Sequence, residues 1–291
     1  MLSFSGSLVA LVTPFTHANK IDYPACSNLL DWHLNSATDG IVILGTTGEA
    51  ATITPTERAA FIQFVIDKVG SRLPVIVGTG SNCTQLTIEM TQQAHQLGAA
   101  AALIVTPYYN KPTQDGLFQH FSAVAAASDI PQILYNVPSR TGVDLHTRTI
   151  ARLQSIKNIA GLKDATGDLQ RLKDLTETSL TLFSGDDASA LQFIKLGGHG
   201  VISVTANAVP DLMRNLVNLA KLNDFSAAED INTKLRPLFE KLFMETNPIP
   251  VKWLLAQSGR IENVLRLPLT PLSVQYQDML AGVIESTDIS L

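Results

Sequence analysis

Two apolar runs in this chain end in groups able to do chemistry on a carbonyl. Ile159-Ala-Gly-Leu-Lys163 terminates in an amine, and Ile133-Leu-Tyr135 terminates in a phenol followed by Asn136-Val-Pro-Ser-Arg140. A cation at the end of a buried strand is costly unless it is paired or neutralised. A neutral amine beside a phenol is the equipment for imine formation, the amine attacking and the phenol relaying protons. A lysine of ordinary pKa, about 10.4, is neutral to only about 0.1% near pH 7.4, so such a site has to be desolvated. The alternative is a salt bridge from Lys163 to a carboxylate such as Asp164, and a strand-end lysine taken alone favours it. Successive strand residues point to opposite faces, however, which separates Lys163 from Asp164. Tyr135 is otherwise a core tyrosine with a satisfied hydroxyl. Arg140 is either a bidentate fork for a carboxylate or an exposed loop cation.

Two further segments carry polar groups. Gly45-Thr46-Thr47-Gly48-Glu49 has two glycines that let backbone approach a ligand, and its N–H groups and hydroxyls suit a carboxylate or a phosphate. No GK[ST] follows, so it is not a Walker loop, and a simple tight turn is the competing reading. Tyr108-Tyr109-Asn110-Lys111-Pro112 reads equally as a subunit contact or a substrate lid. The six histidines are scattered, and there is no HExxH or Cys/His cluster, so no bound metal is expected.

The elements that must position these groups follow an alternating plan. Short aliphatic runs occur at Leu8–Val12, Gly40–Leu44, Val75–Val77, Ala102–Val105, Gln132–Tyr135, Ile159–Leu162, Leu180–Phe183 and Val201–Val204. They show little polar alternation, as parallel strands covered on both faces do. Helix-like stretches separate them, the best signalled beginning at Thr54-Pro55-Thr56-Glu57 with a capping hydroxyl, proline in the first turn and an acidic residue after it. Eight such units predict an α/β fold of the (β/α)₈ barrel type. An open doubly wound sheet is disfavoured because Leu11-Val-Thr-Pro-Phe15 offers no glycine-rich dinucleotide loop. The barrel is expected over residues 1–223, with a helical C-terminal subdomain over 224–291. In a barrel the chemistry gathers at the C-terminal strand ends, where Lys163, Tyr135 and the 45–49 loop all fall.

Composition narrows the function further. The 291 residues are 45% apolar and 16% charged, enough to bury a large core. Twenty-one basic against 26 acidic residues give a net charge of −5 with no basic patch, which argues against nucleic-acid binding. No run approaches membrane-spanning length, and the N-terminal segment lacks a secretory pattern. Cys26 and Cys83, with no CxxC, are expected as reduced core residues of a cytoplasmic protein.

Taken in order, Gly45-Thr-Thr-Gly-Glu49, Tyr135-Asn-Val-Pro138, Gly161-Leu-Lys163-Asp164, Gly197-Gly-His-Gly-Val-Ile-Ser203 and Asn247-Pro-Ile-Pro-Val-Lys252 resemble the pyruvate-dependent class I aldolases of the dihydrodipicolinate synthase/N-acetylneuraminate lyase superfamily. The resemblance covers nearly the whole chain. Thr46-Thr47 and Arg140 place it nearest the dihydrodipicolinate synthase branch, because the sialic acid lyases typically carry Ser-Thr and lack the arginine. The resemblance implies that Lys163 forms a Schiff base with pyruvate and that Thr47 holds the pyruvate carboxylate. It makes Tyr135 the acid/base group, linked through Thr46 to Tyr109 of a neighbouring subunit. Arg140 then binds the carboxylate of L-aspartate 4-semialdehyde, and the Ile202 backbone lies near pyruvate. A homotetramer built as a dimer of dimers is implied, with no cofactor. The remaining alternatives are another aldolase acting on a 2-keto-3-deoxy sugar acid or sialic acid, and a non-catalytic keto-acid-binding relative.

One departure bears on regulation. Lysine-inhibited members of the family bind the effector through a serine, histidines, an asparagine, a glutamate and a tyrosine. Here Asn82 and Tyr108 match, but the serine position is Ala50, the histidine positions are Pro55 and Arg58, and the glutamate position is Leu86. Weak or absent inhibition by L-lysine is therefore expected.

Overall fold

The computed structural model describes residues 4–287. Eight strands, β1 (Gly6–Ala10), β2 (Gly40–Ile43), β3 (Val75–Gly78), β4 (Ala101–Val105), β5 (Gln132–Asn136), β6 (Ile159–Asp164), β7 (Thr181–Ser184) and β8 (Gly200–Ser203), follow the aliphatic runs. They form one closed parallel barrel in sequence order, with β8 pairing back onto β1. The predicted (β/α)₈ architecture is what the chain adopts.

The pleat divides each strand between two cores. Leu8, Val42, Ile76, Leu103, Ile133, Tyr135, Phe183 and Ile202 fill the barrel interior. Their neighbours Val9, Ile41, Ile43, Val77, Leu134, Leu162, Leu182 and Val201 pack outward beneath the helices. Both faces are therefore apolar, which explains why these strands read as unbroken aliphatic runs. Asn207 ties the closing seam: its amide donates to the carbonyls of Ala10 (2.8 Å) and Val204 (2.9 Å), and its Oδ1 accepts from the Val12 N–H (3.0 Å).

Outside the barrel, the helix Pro55–Val69 starts at the expected signal, where Thr54 and Glu57 form a reciprocal capping box. Three helices follow the helix Pro210–Lys221: Phe225–Lys241, Ile249–Gln257 and Val274–Thr287. Their buried residues Leu235, Leu254 and Leu280 belong to the same outer core as the barrel. Among the described residues no helix is long and apolar enough to cross a membrane.

Local departures have local causes. Between β6 and β7 the chain makes only a short 3₁₀ turn, Leu169–Arg171, and the turn Leu172–Leu175, entered through the Asp168 cap. A four-residue helix, Pro138–Thr141, carries Arg140 and is too short to leave a periodic signal. Cys26 is a core residue, its thiol pushed up to about 12 by burial. Cys83 corrects the expectation of a second core cysteine: it is exposed, at the cap position of the helix Thr84–Gln96.

Candidate active site

Lys163 and Tyr135 occupy paired positions on β6 and β5, and Lys163 pairs in turn with Phe183 on β7. All three face the barrel interior, so the lysine stem lies between two aromatic residues. Its Nζ sits 4.4 Å from the centroid of the Tyr135 ring. Gly185 makes room for it: a Cβ there would stand 3.0 Å from Lys163 Cε and 2.6 Å from Ala165 Cβ.

The salt-bridge alternative for Lys163 does not hold. Asp164 turns to the other side of β6, where its Oδ1 accepts from the Thr166 N–H (2.9 Å) and hydroxyl (2.5 Å). Its other oxygen faces Arg171 Nε at 3.6 Å, and Arg171 is itself paired with Asp144 at 2.7 Å. Among the described residues Lys163 has no carboxylate partner.

A cavity of about 710 Å³ opens at the C-terminal end of the barrel, with Thr46, Tyr135 and Arg140 in its wall. Lys163 is not in this wall itself; it is 6% exposed, with its Nζ against the ring of the wall residue Tyr135. Thr47 is also buried, its Oγ1 accepting from Asn247 Nδ2 at 3.0 Å. Arg140 projects from its short helix and donates from Nη2 to the Asn247 carbonyl at 3.3 Å. Ile202 packs in the barrel interior near the top of β8. Tyr109 stands apart: it is 89% exposed, has a φ of +73°, and does not line the cavity. The single chain thus gathers Lys163, Tyr135, Thr46, Thr47, Arg140 and Ile202 around one strand-end region and leaves Tyr109 outside it.

Two anchors went unassigned in the sequence. Lys252 is fully buried and donates to Glu49 Oε1 (2.6 Å) and to the Thr13 carbonyl (2.9 Å), with its ammonium 4.3 Å from the Phe15 ring centroid. Burial pushes the Lys252 amine down while the Glu49 charge opposes that shift. Glu49 Oε2 accepts from the Arg266 N–H at 3.1 Å, and the Arg266 guanidinium grips Glu57, whose carboxyl it holds down at about 2. Glu49, at φ +52°, is therefore not offered to a ligand but locks the 45–49 loop to the C-terminal segment. Asp187 does similar work beside Ile202, accepting from the N–H groups of Val204 (3.1 Å) and Thr205 (2.8 Å); burial pushes its carboxyl up. The loop glycines and Asn247-to-Lys252 stretch hinted at constraint, but no local pattern discloses partners 200 residues apart.

The same cavity contains the residues expected, from the family resemblance, to depart from the lysine-binding pattern. Ala50, Pro55, Arg58 and Leu86 line it together with Glu89 and with Tyr108, which matches that pattern. Arg58 donates to the Gly78 carbonyl, and burial pushes its guanidinium down to about 10. The Glu89 carboxylate accepts from Gln85 at 2.9 Å. Among the described residues no group of three or more His, Cys, Asp or Glu is placed to hold a metal ion.

The sequence profile of the Dihydrodipicolinate synthetase family matches residues 3–287. The chain belongs to that family. It is 56% identical over 273 residues to the 4-hydroxy-tetrahydrodipicolinate synthase of Coxiella burnetii, covering 94% of each sequence. It is 50% identical over 291 residues to the enzyme of the same name from Thioalkalivibrio sulfidiphilus, covering 99% of each. Its fold superposes on the chloride-inhibited dihydrodipicolinate synthase of Acinetobacter baumannii, crystallised in complex with pyruvate, with a TM-score of 0.97 and 46% identity. That match covers 99% of this chain and 100% of the other.

Proposed function

We propose that this chain condenses pyruvate with L-aspartate 4-semialdehyde through a Schiff base on Lys163, giving 4-hydroxy-tetrahydrodipicolinate on the diaminopimelate route to lysine. The observation that carries the reading is the Lys163–Tyr135 pair: an amine without a carboxylate partner among the described residues, 4.4 Å from a phenol ring at the barrel mouth. The family relationship supports the same chemistry, since the two named relatives are synthases of that product.

The steps assign a task to each group. Lys163 Nζ attacks the keto carbon of pyruvate, and the carbinolamine loses water to the Schiff base. Tyr135 moves the protons of these steps. Thr47 and its backbone hold the pyruvate carboxylate, with the Ile202 backbone beside it. Loss of a methyl proton gives the enamine, whose carbon attacks the aldehyde while Arg140 holds the semialdehyde carboxylate. The substrate amine then attacks the imine carbon, closing the ring and releasing Lys163. No cofactor enters the sequence.

Thr46 links Tyr135 to Tyr109 of a second copy, which accounts for an exposed tyrosine that does not reach its own cavity. The assembly we propose is a homotetramer built as a dimer of dimers, working in the cytoplasm, with residues 1–223 as the catalytic barrel and 224–291 as its helical subdomain. L-Lysine inhibits it weakly or not at all. The deciding experiment compares pyruvate consumption with aspartate semialdehyde against pyruvate release from 2-keto-3-deoxy sugar acids and sialic acid. Turnover confined to the first supports the assignment; turnover confined to the second overturns it.

A further inference from the structure

We propose that Asn247 is a positioning residue for the substrate carboxylates, fixing the direction in which Thr47 donates and the seat from which Arg140 acts. The inference rests on the reading of this site as a pyruvate-condensing one. Asn247 is 5% exposed, lines the cavity, and touches both carboxylate-binding groups at once. Its Nδ2 donates to Thr47 Oγ1 at 3.0 Å, and its backbone carbonyl accepts from Arg140 Nη2 at 3.3 Å. A threonine hydroxyl has one proton to give and two lone pairs. With one lone pair engaged by the Asn247 amide, the Thr47 proton points away from Asn247. Among the described residues that hydroxyl donates to nothing, so its proton is available to an incoming carboxylate.

A second cross-link lies beside this contact. Five residues beyond Asn247, Lys252 is pinned to Glu49 and to the Thr13 carbonyl, while the Thr13 hydroxyl donates to the Gly48 carbonyl at 2.7 Å. The 45–49 loop and the 247–252 segment are therefore joined twice, by the Thr47–Asn247 bond and again at Glu49 and Lys252. The cross-links make the C-terminal segment part of the site's geometry as well as a cover for the barrel.

The test measures how the borohydride-trapped pyruvate adduct, read by intact mass, depends on pyruvate concentration in the wild type, Asn247→Ala, Asn247→Asp, Thr47→Val and the double variant N247A/T47V. Losing one positioning hydrogen bond raises the half-saturating pyruvate concentration about two- to tenfold in N247A. N247D, which matches asparagine in shape, accepts the Thr47 proton instead of freeing it, and raises the concentration further. In the T47V background N247A adds no further rise, because the hydroxyl it orients is gone. All variants retain the backbone carbonyl that seats Arg140. Unchanged saturation in N247A and N247D, or effects of N247A and T47V that multiply, overturns the proposal while a trapped wild type leaves the function intact. An untrapped wild type overturns both.

Discussion

Lys163 Nζ lies 4.4 Å from the ring centroid of Tyr135, its register partner on the neighbouring strand. Parallel pairing alone brings amine and phenol side by side, and Phe183 on the third strand closes the other flank. The arrangement puts the proposed nucleophile and its proposed proton carrier on rigid strands, which hold a reacting geometry better than loops do.

Replacing Tyr135 by phenylalanine keeps the ring against Lys163 and removes only the hydroxyl. General acid–base catalysis contributes roughly 10²- to 10⁴-fold, so kcat should fall by at least about 10²-fold while thermal stability is retained. Steady-state kinetics with an unfolding scan checks this. A variant with near wild-type kcat would remove Tyr135 from the proton path.

The Glu49–Lys252 pair is buried on both sides. Lys252→Met leaves the Glu49 carboxylate without its cation, a loss of about 3–5 kcal/mol in stability. Adding Glu49→Gln removes the stranded charge and should recover part of that loss. Chemical denaturation of the single and double variants measures it, and a double variant less stable than K252M contradicts the pairing.

His33 is fully buried, with its Nδ1 3.0 Å from Thr38 Oγ1. Burial, reinforced by Arg260, pushes its pKa down to about 3 from an ordinary 6.5. The unfolded chain therefore takes up a proton that the folded one refuses. Stability is full above pH 6.5 and is lost progressively as pH falls from 6.5 toward 3. Unfolding midpoints across this range should fall less steeply for His33→Gln than for the wild type. Parallel curves would show that His33 does not set the acid limb.

The cavity carries Arg58, Ala50, Pro55 and Leu86, at positions where the family resemblance implies histidines, a serine and a glutamate in lysine-inhibited members. A buried guanidinium disfavours a cationic effector, and the nearby Glu89 carboxylate is engaged by Gln85. Initial rates titrated with L-lysine should stay close to the uninhibited value. Strong inhibition at sub-millimolar lysine refutes this.

The barrel was legible in the sequence because strands buried on both faces leave continuous aliphatic runs, and the turn chemistry at Thr54 marks where a helix must start. Lys163 and Tyr135 were legible because each ends such a run, and register then makes neighbours of neighbouring strands. Arg140 was visible as a residue but not as part of a helix, since Pro138–Thr141 makes a single turn. Asn247, Lys252 and their partners were not legible as a constellation. Thr47 and Asn247 are 200 positions apart, and Glu49 and Lys252 are 203, so only the closed barrel brings them together. Gly185 is similar: its need for a missing Cβ appears only once the Lys163 stem lies against it.

The proposed imine between Lys163 and pyruvate can be trapped directly. Wild-type protein incubated with pyruvate and borohydride, then digested and analysed by mass spectrometry, should carry a single reduced pyruvate adduct on the peptide containing Lys163. Lys163→Ala should carry none. Wild-type protein with no mass increase, or an adduct on a different lysine, would show that Lys163 is not the imine-forming residue.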